Sequence, residues 1–226
     1  LLRKWILSWT EIWPYGQYRS LGRMPRPRKF QEHDVISSAS EVFAVNGLTA
    51  TTLDDLVRAT GLGKQSLYNA FGGKRELFLR ALSEDHDEAA RAVSEALQHG
   101  DASPLERIRG HMLRMAIEFS RSDSRVSLAT RALVESTGEQ DQLSTVTKAG
   151  IEELAGIYAH CLEDAQKSGD LPADANLTSL AMYFVAVVRG MELVGRAGVG
   201  RAALTAVALD ALRVFPGGAV ADPAQA

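Results

Sequence analysis

The sequence predicts an all-α protein, with an N-terminal three-helix, helix-turn-helix head followed by a larger helical body. Three observations predict it. Apolar residues recur at three- and four-residue spacing through every long segment, and no segment shows the strict alternation of a half-buried strand. Between residues 52 and 71, two short amphipathic segments also meet at a glycine turn.

The short pair carries the most specific information. Thr52 followed by Asp55 is a helix start of capping-box type, in which the hydroxyl accepts from an orphan backbone N–H and the acid favours the positive helix end. Gly61 stops that helix, because a residue without a Cβ enters the left-handed conformation without penalty. Lys64 opens the second helix, with Leu67, Ala70 and Phe71 on its inner face. Lys64, Gln65, Ser66, Tyr68 and Asn69 are left to point outward or sideways, a set with hydrogen-bonding groups and no carboxylate. A helix that enters a major groove needs such a face, held by a first helix that crosses the backbone.

In chain order, Leu1 to Arg23 is aromatic-rich but broken by Arg3, Lys4, Glu11 and Pro14, so its apolar run is too short to span a membrane. It reads as a disordered extension ahead of a start at Met24, or as an interfacial or self-associating segment. Arg26, Arg28 and Lys29 then alternate with prolines in an extended basic arm, suited either to a minor-groove or phosphate contact or to a solvated tail. Val35, Ile36, Ala39, Val42 and Phe43 predict a helix from Gln31 to about Asn46, closed by Asn46-Gly47. After the reading pair, Gly72-Gly73 breaks the chain and Lys74 opens a long helix to about Leu97, where backbone N–H groups favour an anion beside the lysine. Further helices are expected from Ser103-Pro104 to Ser120, Arg125 to Ser136, Gln140 to Ser168, Leu177 to Gly195 and Ala203 to Phe215.

Residues 24 to 80 resemble the tetracycline-repressor (TetR) family of transcriptional regulators. The resemblance rests on the ordered string Gly61-x-x-Lys64-x-x-Leu67-Tyr68-x-x-Phe71-x-x-Lys74-x-x-Leu77, with Thr52 to Leu56 before it. It implies a two-domain helical homodimer in which a small molecule bound in the larger domain changes the spacing of two DNA-reading heads. The corresponding division is a head over 24–72, an effector-binding and dimerisation body over 73–216 and a tail over 217–226. Thr52, Tyr68 and Lys74 are then expected at phosphates, and Lys64, Gln65, Ser66 and Asn69 at base edges. Three departures stand out. Gly63 and Gly73 occupy helix starts where the family usually has Ser, at a cost of roughly a few tenths of a kcal/mol each, and Gln65 replaces a residue that is usually small.

Charge is divided along the chain. Residues 24–80 hold eight basic against six acidic residues, and residues 81–226 thirteen against twenty-one. The head can therefore approach DNA while the body is repelled by it. A lone Cys161 forbids an intrachain disulfide framework and a Cys-rich zinc site, and the chain is expected in the cytoplasm.

Catalysis, metal binding and cofactors find no support. His160 and Cys161 are adjacent and point about 100° apart on a helix, and His99 and His111 lie on separate helices without a carboxylate at ligand spacing. Met112, Met115, Phe119, Tyr158, Cys161, Met182 and Tyr183 sit on helices that can enclose a small-molecule cavity, with His111 or Arg131 as polar anchor. The same stripe is also what an ordinary core looks like. The segment from Leu177 to Gly195 is apolar on more than one face, so with the last helix it is expected to pack inward on one side and on a second copy on the other. Two-fold pairing sets two reading helices roughly 34 Å apart and calls for a palindromic operator on double-stranded DNA. The alternative is a helical small-molecule-binding or interaction module whose head no longer reads DNA.

Overall fold

The computed structural model describes residues 31–121, 126–135 and 141–215. From Glu32 on, the described residues form one compact unit of nine α-helices and no strand. The helix α1 (Glu32–Ala50) leads into the short pair α2 (Leu53–Thr60) and α3 (Lys64–Phe71), followed by α4 (Lys74–Gln98) and α5 (Pro104–Phe119). Then come α6 (Leu128–Glu135), α7 (Gln142–Lys167), α8 (Leu177–Arg196) and α9 (Arg201–Ala211), which runs into a 3-10 turn at Leu212–Val214. The basic arm with Arg26 and Arg28, the extension before it and the tail after residue 215 lie outside the described residues.

Local chemistry accounts for the ends of the head helices. Thr52 and Asp55 form the reciprocal capping box: Asp55 N–H donates to the threonine hydroxyl at 3.2 Å, and Thr52 N–H donates to the carboxylate at 2.9 Å. Gly61 takes a left-handed φ of 68° and donates its N–H to Val57 O at 3.0 Å. Gly63 and Gly73 start α3 and α4 with no side-chain cap, as their lack of a hydroxyl dictates. The regular part of α1 ends at Gly47, whose φ of 77° is left-handed and whose Cβ position is filled by the Glu135 carboxylate.

Val35, Ile36, Ala39 and Phe43 of α1 are buried with Leu56, Leu67 and Phe71 of the short pair and Leu77 and Phe78 of α4. Phe43 meets Phe78 edge-on at 5.0 Å, so the start of the long α4 belongs to the core of the head. Farther along, α4 packs on α7, α7 on α8 and α5 on α9. Their shared core includes Leu97, Ile108, Met112, Tyr158, Leu162, Phe184 and Leu204. One helix, α4, thus takes part in both cores, and α6 lies against α1, α4 and α7.

Outer faces of α8 and α9 stay apolar. Met182, Tyr183, Leu193, Val194 and Val207 are exposed large hydrophobic residues. Length and composition alone would let α8 cross a membrane, yet Ala181, Phe184, Val185 and Met191 on its inner face are buried in the protein core.

Candidate nucleic-acid interface and cavity

On α3, Leu67 and Phe71 are buried while Lys64, Gln65, Ser66, Tyr68 and Asn69 are exposed, Tyr68 at 65%. Gln65 Nε2 donates to Asn69 Oδ1 at 2.9 Å, one helical turn along. The pair presents one connected amide surface, with a donor and an acceptor still free on each side chain. Lys64 Nζ lies 2.8 Å from Asp54 Oδ1. That carboxylate, from α2, borders the face that the sequence of α3 alone presents as free of acids. Both groups are exposed, so the ion pair is weak and yields easily to a phosphate.

Two of the residues expected at phosphates are committed elsewhere. The Thr52 hydroxyl proton goes to Asp55 Oδ2 at 2.6 Å, which leaves none to donate to DNA. This hydrogen bond, with the backbone N–H of Thr52 and then Arg58, draws the Asp55 carboxyl below its ordinary pKa. Lys74 Nζ reaches Leu48 O at 2.7 Å, Thr51 O at 2.8 Å and Thr49 O at 3.4 Å, using its three donors on carbonyls of the turn after α1. Lys74 therefore ties the start of α4 to the end of α1. Its sequence position beside a helix N-terminus suggested a phosphate, but the folded turn supplies a nearer set of acceptors.

A cavity of about 580 Å³ opens between α4, α5, α7 and α8. Val93, Met115, Phe119, Leu154, Val185 and Val188 give it apolar walls, and His111, Arg114, Tyr158, Arg189, Glu192 and Ser127 its polar groups. Four of the nine residues expected at a cavity line it: His111, Met115, Phe119 and Tyr158. Met112 packs in the core behind it. Cys161 is buried and its thiol donates to Pro104 O at 3.4 Å, with burial pushing its pKa up. Met182 and Tyr183 face outward on α8. Arg131 points to the head, where its guanidinium donates to Ala44 O and Val45 O at the end of α1.

The polar end of the cavity is a network centred on Glu192, which is 3% exposed. Its carboxylate accepts from the Ser127 backbone N–H, from Thr130 Oγ1 at 2.6 Å and from Arg189 Nη1 at 3.1 Å. Asp85 of α4 accepts from Ala129 N at 3.0 Å, and burial raises its pKa. The first turn of α6 is thus held by acids from α8 and α4. At its other end, Glu135 Oε2 accepts from Leu48 N at 2.9 Å and Thr49 N at 3.3 Å. A helix of eight residues consequently joins the cavity wall to the end of α1.

Arg114, Arg189, Glu192 and Ser127 join the expected residues at the cavity. A signal was present for two of them: Arg189 and Glu192 are an oppositely charged pair at three-residue spacing inside an otherwise apolar helix.

A short exposed reading helix on a head of three helices, joined to a helical body that contains a cavity, defines a DNA-binding regulator. Comparison with known proteins agrees. Residues 35–81 match the family described as bacterial regulatory proteins, tetR family. The chain is 29% identical over 163 residues to the uncharacterized HTH-type transcriptional regulator YezE of Bacillus subtilis, covering 71% of this chain and 83% of that protein. It is 25% identical over 194 residues to the HTH-type transcriptional repressor ComR of Escherichia coli, covering 84% and 91%. Among solved structures, a cysteine mutant of the TetR family regulator CifR complexed with 26-base-pair operator DNA superposes with a TM-score of 0.75 at 27% identity, covering 85% of this chain and all of that one. Together these likenesses support a TetR family transcriptional regulator.

Proposed function

We propose that this chain is a repressor that binds a palindromic operator as a homodimer and is released when a small molecule fills the cavity between α4, α5, α7 and α8. The observation that carries the ligand response is α6. Its first turn is bonded to Glu192 at the cavity wall, and its Arg131 and Glu135 hold the end of α1 in the head. A ligand that shifts α8 or α4 moves α6, and α6 has polar ties to the head through which the shift passes.

In this reading the head spans 24–72 and the body 73–216, with Gln65, Ser66, Asn69 and Lys64 at base edges and Tyr68 at a phosphate. The operator complex of CifR and the repressor role of ComR support the direction of control. The exposed apolar face of α8 and α9 supports pairing with a second copy, since a patch of this kind is seldom left to water.

Duplex titration at several salt concentrations tests this reading, beside sedimentation of the free protein. A dimer whose log affinity falls with log salt, by about 0.9 per phosphate contacted, agrees with it. One observation favours the alternative of a head that no longer reads DNA: the three donors of Lys74 are taken by backbone carbonyls of the turn after α1. A folded protein with no salt-dependent duplex binding would select that alternative.

A further inference from the structure

The polar atoms around the cavity define which ligand it suits. His111 and Tyr158 are 3% and 2% exposed, and their neighbouring rings meet edge-on at 5.8 Å. His111 Nε2 and the Tyr158 hydroxyl are both buried without a hydrogen-bond partner among the described residues. The arrangement of protons follows from chemistry. Arg114 Nη2 lies 3.3 Å from His111 Nδ1, and a guanidinium only donates, so Nδ1 accepts and a neutral ring carries its proton on Nε2. Burial, with Arg114 alongside, keeps that ring neutral by lowering its pKa to about 4. Two unsatisfied donors, Nε2–H and the phenol, therefore sit in residues that line the cavity, apart from the Glu192 network at its polar end.

Charge breaks the remaining symmetry. Arg189 is matched by Glu192, whose carboxylate is filled by Arg189, Thr130 and Ser127. Glu95 is exposed. Arg114 lines the cavity, and among the described residues its guanidinium is bonded only to the imidazole. A group with acceptors and a negative charge answers Nε2–H, the phenol and Arg114 at once, whereas of these three a pure donor can meet only the phenol oxygen.

We propose that the cavity takes an organic acid, an apolar molecule with one carboxylate set against Arg114 and within reach of the His111 and Tyr158 donors. The proposal rests on the reading of this cavity as the effector site, and it adds the class of effector. The apolar body of the ligand lies against Met115, Phe119, Leu154 and Val188.

The test uses the full chain and three acids of different shape, phenylbutyrate, octanoate and naphthylacetate, each beside its neutral amide and the corresponding amine, in calorimetric titration. The expected result is that at least one acid binds about tenfold or more tightly than its amide, a difference of about 1.4 kcal/mol, with the amine weaker still. Arg114→Gln should erase the preference for acid over amide, and Arg114→Lys should keep most of it. Thermal unfolding of both variants separates a lost charge from a lost fold. Amides or amines that bind as well as the acids would overturn the acid class and leave the effector site standing. Silence from all the compounds up to millimolar concentration would overturn the effector site as well.

Discussion

The Thr130 hydroxyl donates to the Glu192 carboxylate at 2.6 Å, and both side chains are nearly free of solvent. The bond fastens the first turn of α6 to α8, and the same short helix reaches the end of α1 through Arg131 and Glu135. Thr130→Val keeps the shape and removes the donor. It should cost about 1–2 kcal/mol of stability and reduce the drop in operator affinity that ligand produces. Urea unfolding and operator titration with and without ligand check the two effects; an unaltered ligand response would remove α6 from the route between cavity and head.

Lys74 and Tyr68 should separate stability from DNA affinity. Lys74→Met leaves Leu48 O and Thr51 O without their donor and is expected to destabilise the protein by about 1–3 kcal/mol, seen as a lower Tm. Tyr68, at 65% exposure, contributes little to the core. Tyr68→Ala should leave Tm nearly unchanged and weaken binding to all duplexes alike, with the salt slope kept, because a neutral phenol releases no counterion. A Tyr68→Ala variant that binds duplex as well as the parent would contradict its placement at the backbone.

Gln65 bridges to Asn69 on the exposed face of α3. Gln65→Ala should change which operator variants are preferred, by about 1–3 kcal/mol at one base-pair position in each half-site. Equal losses across all variants would reassign Gln65 from base to backbone contact.

His111 gives the stability a definite dependence on pH. Its buried ring, beside the Arg114 guanidinium and against Tyr158, is held neutral down to about pH 4, whereas an unfolded histidine takes its proton near 6.5. Between these values the unfolded state binds more protons, so this contribution is fully present above pH 6.5 and is lost as the pH falls toward 4. Its size is about 3 kcal/mol at most. His111→Gln should flatten the stability curve over that window when unfolding is followed at successive pH values; identical slopes in parent and variant would contradict the buried neutral imidazole.

Helix order and the ends of the short pair were legible because their determinants are local: Thr52 with Asp55, Gly61, and the spacing of Leu67 and Phe71. The role of Lys74 was not, since its carbonyl partners lie on a turn more than twenty residues away. Asp54 escaped notice beside Lys64 for a similar reason, as the two sit on different helices that the Gly61 turn brings together. In the body, periodicity identified α8 as apolar nearly all round but gave no phase, so Met182 and Tyr183 were expected at the cavity and face outward, while Val185, Val188 and Arg189 line it. On α5, with a single apolar stripe, His111, Met115 and Phe119 line the cavity and Met112 packs behind it.

The central claim is that the exposed face of α3 reads a two-fold symmetric operator. Selection from random duplex DNA with the full chain, followed by sequencing of the bound fraction, tests it most directly. The account predicts an enriched palindrome whose half-sites lie about one helical turn or a multiple of it apart, roughly 34 Å per turn, and whose enrichment disappears with Gln65→Ala and Asn69→Ala combined. A folded, dimeric protein that enriches no sequence, before and after refolding from denaturant to strip bound ligand, would contradict it.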